Sequence, residues 1–273
     1  MRAPEPRVDA AADLALLVEA SREAAEIALG FWRQGPKTWE KPGDEGPVSE
    51  ADLAVDAHLR GRLTAARPDY GWISEETAED GRALGCRAAF VVDPIDGTRA
   101  FLRGEETWAH ALAVVVDGAP VAGVVHLPAK GDRLYAARSG GGAQRDGAAI
   151  RARGATPGLE DAALLVTKQN TAPGLWRRPV PALNRHFRPS MAYRLALVAE
   201  GRYDGMLTLR DAWEWDIAAG VLIAAEAGAR VSDRTGGALA FNAPGRKAAG
   251  VVAAPATLHA EIVARLAPGA RIA

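Results

Sequence analysis

Residues 88–127 constrain the fold more than any other part of the chain. AAFVVD (88–93) is apolar and β-branched, and ALAVVVDGAPVAGVVHL (111–127) reads as two strands joined at an Asp117-Gly118 turn. An Asp-Gly pair between apolar runs is a hairpin signal. RLYAARSGGGAQRDG continues in the same style, with glycines where the chain turns. The expected product is a hairpin-rich, largely antiparallel sheet, which must bury an apolar face. The N-terminal part supplies helices to cover it. Over residues 9–31, Leu14, Leu17, Val18, Ile27 and Phe31 recur at three- and four-residue steps among Glu19, Arg22, Glu23 and Glu26, an amphipathic pattern. QGPKTWEKPGDEGP is a breaker-rich loop. A second helix begins at Ser49, which can cap it with Asp52 in a weak capping box before Leu53, Val55 and Leu59; Pro68 ends it.

After RARGATPGLED the rhythm changes. Strands at 163–167, 204–209 and 250–254 alternate with helices at 191–200, 218–227 and 258–266, the α/β signature. The expected class is therefore α/β (α+β). A soft boundary near residue 155 separates 1–155, helices plus sheet, from the α/β part 156–273.

Charge and cysteine usage bound the function. The 273 residues carry 33 Lys+Arg against 34 Asp+Glu, a net charge of -1, which lacks the basic surplus of a nucleic-acid polymer or anionic-membrane binder. The single cysteine, Cys86, excludes an internal disulfide framework and thiolate zinc clusters and fits a reducing cytoplasm. Asp9 and Asp13 interrupt the apolar positions near the N-terminus, so it does not read as a signal peptide. No apolar run approaches the roughly 18–20 residues of a membrane span. The expectation is a soluble, cytoplasmic protein. One local asymmetry stands out: residues 162–199 hold six cations, Lys168, Arg177, Arg178, Arg185, Arg188 and Arg194, and no acid. They form either a solvated loop or an anion-facing wall.

VVDPIDGTRAF (91–101) carries the chemistry. Asp93 ends an apolar strand, Pro94 stops it, and Asp96 follows before Gly97 and Thr98, which can open a helix. Two carboxylates held together at a strand end repel each other unless a cation lies between them. Oxygen donors without His or Cys point to Mg2+ or Mn2+. Backbone N–H groups at Gly97 and Thr98 would make an anion site beside the metal. Glu75, in ISEE, and Asp216, just before an Ala- and Gly-rich helix, enlarge the carboxylate set to one that suits two or more metals. The alternative for each acid alone is a surface group or turn cap. His110 and His126 lie in strands and read as packed or solvated, and no Ser-His-Asp or Cys-His arrangement is visible.

DPIDGTRAF together with WDIAAGVLIAAEAG, supported by SEE and KPGDEGPVSEAD, resembles the inositol monophosphatase family of magnesium-dependent, lithium-sensitive phosphomonoesterases, and in the right order over most of the chain. The resemblance implies a layered α-β-α-β-α sandwich with an antiparallel N-terminal sheet and a mixed C-terminal sheet, often as a homodimer. It implies that Glu75, Asp93 and the carbonyl of Ile95 hold one metal, and Asp93, Asp96 and Asp216 another, with two or three Mg2+ per site. It implies that Asp52 and Thr98 orient and activate water, and that Lys41 is the basic residue near the metals. Hydrolysis of a phosphate monoester needs a nucleophile, charge neutralisation and leaving-group stabilisation, and two metals can supply all three.

The expected substrate is a small phosphorylated metabolite. Leu209 stands where inositol-preferring members carry a Glu, with Arg210 and Asp211 beside it. In SMAYRLALVAEG, Arg194 matches a Lys of adenosine 3′,5′-bisphosphate nucleotidases of the same superfamily, and Trp213-Glu214-Trp215-Asp216 resembles their EWD form. With the cationic segment, this leans toward adenosine 3′,5′-bisphosphate, with Ser190 and Arg194 as substrate-binding candidates. The alternatives are inositol 1-phosphate or a broad range of sugar phosphates, and, from another class, a non-catalytic phosphometabolite binder.

Overall fold

A computed structural model describes residues 8–41, 46–77, 83–155 and 157–272. Part of the breaker-rich loop, residues 42–45, and the N-terminal residues 1–7 lie outside the described residues.

Asp9 opens helix α1 (Ala10–Phe31) by accepting from the N–H groups of Ala11 and Ala12 at 3.0 and 3.1 Å. Strands β1 (Thr38–Glu40) and β2 (Pro47–Ser49) form a small antiparallel pair. Helix α2 (Glu50–Ala66) starts at Ser49, as the capping-box spacing predicts. The first large sheet then forms from β3 (Gly71–Ser74), β4 (Ala88–Asp96), β5 (Ala109–Val116), β6 (Ala119–Leu127), β7 (Arg133–Arg138), β8 (Ala143–Arg145) and β9 (Ala148–Ile150), in that spatial order. Every neighbouring pair is antiparallel except β3–β4. A five-residue helix, α3 (Thr98–Leu102), interrupts it after β4.

The second sheet has the order β11-β10-β12-β16-β14 and is mixed, with β10 (Ala163–Leu165) parallel to β11 (Asn184–His186) and to β12 (Gly205–Thr208). Its other members, β14 (Arg230–Ser232) and β16 (Val251–Ala254), pair antiparallel. Helices α4 (Met191–Ala199), α5 (Glu214–Glu226) and α6 (Ala256–Arg265) complete the chain, and β13 (Ala212–Trp213) pairs with β15 (Lys247–Ala248).

Period-two alternation sorts the side chains into layers. Phe90, Val92, Leu112 and Val114 pack with Leu17, Val55 and Leu59 under α1 and α2. Ala89, Val91, Ala111 and Ala113 face α4 and α5, which meet Leu165, Met206 and Val251 of the second sheet on their other side. Leu164, Leu207 and Val252 pack against Leu258 and Ile262 of α6. The result is the expected α-β-α-β-α order. Gly220 permits the α4–α5 contact: a Cβ there would lie 2.7 Å from Cβ of Leu195.

The stretch read as a breaker-rich loop contains β1 and the start of β2, whose backbone groups pair with each other, and two further boundary differences shape the site. Pro94 does not end β4, which runs on to Asp96 through a bulge that needs no proline N–H. Helix α5 begins at Glu214 rather than 218, so Asp216 sits inside its first turn. Glu214 makes this possible by turning inward, where its carboxylate accepts from the N–H groups of Asn242 and Ala243 at 2.8 and 3.0 Å.

Candidate active site

Side chains three residues apart on a regular strand point to opposite faces. In β4 the register runs Asp93↔Ala111 and then Asp96↔Ala109, so Pro94 and Ile95 together oppose His110. This extra residue returns Asp96 to the α4–α5 face, where Asp93 already lies, while Ile95 packs on the α1–α2 side. Gly97 then turns the chain at φ 99°, a conformation that L side chains rarely adopt. Asp96 is fixed by the start of α4: its Oδ2 accepts from Oγ of Ser190 at 2.6 Å and from N of Ala192 at 2.7 Å. Burial pushes the Asp96 carboxyl up to about 6 against the pull of these donors and of Arg194.

Glu75, Asp93 and Asp216 each bring an oxygen to within 4.8 Å of the others. Oδ1 of Asp93 is buried with no hydrogen-bond partner. Burial, together with Glu75, Asp96 and Asp216, holds Asp93 well above the usual carboxylate range. Burial and the charges of Asp96 and Glu75 do the same to Asp216. Like charges gathered this closely, with an orphaned oxygen among them, fit a cation bound there.

Lys41 answers part of this charge. Its Nζ lies 2.7 Å from Glu75 and 2.8 Å from Glu76, and these contacts raise its pKa despite burial. Burial and Glu75 push Glu76 up to about 7 even so. Asp56, one turn along α2 from Asp52, accepts from the hydroxyls of Ser74 and Thr77 and so tethers the segment carrying Glu75.

Asp52 stands at the start of α2 with its two oxygens in different employment. Oδ2 accepts from N and Oγ of Ser49 at 2.8 and 2.5 Å. Oδ1 faces the Thr98 hydroxyl at 3.3 Å, which also lies 3.2 Å from the carbonyl oxygen of Ile95. Burial pushes Asp52 up to about 6.

A cavity of about 460 Å³ opens over this cluster, with Glu75, Asp93, Asp96, Gly97, Thr98 and Asp216 among its lining. Its rim holds Arg99, Arg103, Phe187 and Pro189. None of the six cations of residues 162–199 lines it, so of the two readings of that segment the anion-facing wall does not form at this cavity. Arg194 points beneath the rim: Nε donates to the carbonyl of Arg188 at 2.5 Å, Nη2 to that of Pro189 at 3.2 Å, and the guanidinium lies 4.6 Å from the Phe187 ring. Ser190 and Lys41 likewise contact carboxylates rather than the open cavity. Leu209 is fully buried in the α6 layer, and Asp211 pairs with Arg234 and Arg271 at 2.6 and 2.7 Å. The rim arginines had a sequence signal, two cations four apart directly after Asp-Gly-Thr. Asp56 had none, since it reads as an ordinary polar position of α2.

A partly buried, oxygen-only carboxylate cluster around the buried Asp93, with a hydroxyl–carboxylate pair beside it, is able to hold a divalent cation, as the site of a metal-dependent hydrolase requires. The model of the inositol monophosphatase family matches residues 9–268, and the chain belongs to that family. It is 37% identical to an inositol-1-monophosphatase of Rhizobium meliloti over 199 residues, 70% of this chain and 73% of that one. It is 34% identical to a histidinol-phosphatase of Mycobacterium tuberculosis over 236 residues, 83% and 86% of the two chains. The fold matches the crystal structure of the extragenic suppressor protein suhB from Bartonella henselae with a TM-score of 0.78 and 30% identity, covering 93% of this chain and 97% of that one. The chain is thus a phosphoric monoester hydrolase of a metal-dependent family that acts on small phosphorylated compounds. Among the described residues no helix is long and apolar enough to cross a membrane.

Proposed function

We propose that this chain hydrolyses a small phosphate monoester at the carboxylate cluster, with Mg2+ as the resident cation and Mn2+ able to replace it. The observation that carries the reading is the convergence of Glu75, Asp93 and Asp216 within 4.8 Å around a buried, unpartnered oxygen. Glu75, Asp93 and the Ile95 carbonyl would hold one cation, and Asp93, Asp96 and Asp216 a second. Such cations supply an activated water, neutralise phosphoryl charge and stabilise the leaving oxygen.

The protein's own groups position the reactants. Asp52 and Thr98 orient the attacking water, and Oδ1 of Asp52 takes its proton, since Oδ2 is occupied by Ser49. Gly97 and Thr98 receive the phosphoryl oxygens. Lys41 acts through Glu75, and Ser190 and Arg194 act through Asp96, rather than by touching substrate. Residues 1–155 carry most cation ligands, and residues 156–273 supply Asp216 and the facing wall.

The leaving group would meet Arg99, Arg103 and Phe187. Two guanidinium groups on the rim favour an ester with a second anion, for which adenosine 3′,5′-bisphosphate is the test compound. A second reading, inositol 1-phosphate, is favoured by similarity to the Rhizobium meliloti protein. Phosphate release from both compounds and from histidinol phosphate tests the choice. The Arg99→Ala/Arg103→Ala variant should lose about tenfold or more on the bisphosphate and little on inositol 1-phosphate. Equal effects on both would remove the rim arginines from substrate selection, and binding without turnover of any compound would make the protein a binder.

A further inference from the structure

The bulge that brings Asp93 and Asp96 to one face creates a problem behind it. Pro94 and Ile95 share a single partner residue, so the regular ladder is broken there, and a proline cannot donate to it. A buried carbonyl left without a donor is unfavourable and would let the bulge rearrange. The side chain of that partner residue, His110, meets the carbonyl: its Nδ1 hydrogen-bonds to the oxygen of Pro94. His110 lies on the face of β5 shared with Leu112 and Val114, behind the carboxylates, whereas its neighbours Ala109 and Ala111 are small and face α4 and α5.

The imidazole has no other work. It is fully buried, stacked edge-on against Trp108 at 5.5 Å and His126 at 6.1 Å, and its Nε2 has no partner. His126 is engaged elsewhere, with the carbonyl oxygen of Ser21 at 3.1 Å and Asp132 at 2.7 Å. Burial, then the neighbouring His126, lowers His110 to about 3, so the ring stays neutral with one proton, which the Pro94 carbonyl holds on Nδ1.

We propose that His110 is a positioning residue that clamps the β4 bulge through the Pro94 carbonyl and thereby sets the mutual placement of Asp93 and Asp96. Resting on the cation-site reading above, it acts on cation affinity without touching cation or substrate. Comparable supports behind metal ligands change affinity by about 10–100-fold when removed.

The test is Mn2+ binding by isothermal titration to metal-stripped wild type, His110→Asn, His110→Gln and His110→Phe, with thermal unfolding of each. Asn places an amide N–H near the position of Nδ1, whereas Gln places it near Nε2 and Phe has none. Wild type and His110→Asn should agree within about twofold, and His110→Gln and His110→Phe should bind about tenfold more weakly with a matching fall in kcat. Should His110→Phe fail to fold, the Asn–Gln comparison decides alone. Equal affinity across the folded variants, or Asn weakened as much as Gln, would overturn the clamp while leaving the cation site intact. A wild type that binds no Mn2+ would overturn both.

Discussion

Replacing Asp93 by Asn separates what this side chain costs the fold from what it does in the site. In the metal-free protein Asp93 is buried, with one unpartnered oxygen and with oxygens of Glu75 and Asp216 within 4.8 Å. At an effective dielectric near 20, one full charge pair at that distance is unfavourable by about 3–4 kcal/mol. Proton uptake caps the penalty. A carboxyl whose ordinary pKa is 3.8 can be neutralised for about 5 kcal/mol at pH 7.5 but only about 2 kcal/mol at pH 5. Because the folded-state pKa is raised, the folded state binds more protons than the unfolded one, and stability falls as pH rises toward that value. Asn removes the charge at constant volume, against about 1–3 kcal/mol for amide groups that find imperfect partners. The metal-free variant should therefore be more stable than wild type by about 2–4 kcal/mol at pH 7.5, roughly 5–10 °C in Tm, and by less than about 1 kcal/mol at pH 5. Thermal unfolding in chelator at both pH values measures this. Added Mg2+ should raise the Tm of wild type and not of the variant, which should also lose turnover. A variant destabilised equally at both pH values would refute the electrostatic reasoning, and near-normal turnover would refute the shared-ligand assignment.

Further outcomes follow from the same geometry. Thr98→Ala should lower kcat by about 10–100-fold with KM within twofold if its hydroxyl, 3.3 Å from Asp52, orients the attacking water as proposed; an effect confined to KM would make Thr98 a substrate contact. Since burial raises Asp52 to about 6, the proton-accepting form is lost as pH falls through that value, so kcat/KM should decline below about pH 6. A flat pH–rate profile from 5 to 8 would remove Asp52 as the base. Gly97→Ala, at φ 99°, should cost about 1–2 kcal/mol in urea unfolding and reduce turnover by displacing Thr98; an unchanged protein would show that the turn relaxes freely.

The layers and the carboxylates were legible in the sequence for physical reasons. Apolar alternation and the Asp117-Gly118 turn act locally, and Asp-Pro-Ile-Asp-Gly-Thr places its acids by chain geometry over a few residues. The bulge that keeps β4 going past Pro94 was not legible, since it depends on pairing with β5 and on His110, fourteen residues beyond Asp96. Nor was the inward turn of Glu214, which depends on the loop at Asn242 and Ala243. The cationic run misled because charge order along a chain does not set direction: Arg194 turns to backbone carbonyls, while the rim receives Arg99 from the short helix α3 and Arg103 from the residue that follows it. The pairing of Lys41 with both Glu75 and Glu76 had no local signal either, since it emerges only when the residue after β1 meets the segment after β3.

The most direct measurement of the central claim is release of inorganic phosphate from para-nitrophenyl phosphate by protein stripped with chelator, then reconstituted with Mg2+. Stripped wild type should be inactive and regain turnover on addition of Mg2+, whereas Asp93→Asn, still folded, should remain inactive at every Mg2+ concentration. Hydrolysis that persists undiminished in the stripped protein, or that Mg2+ restores fully to Asp93→Asn, would contradict catalysis at this carboxylate cluster.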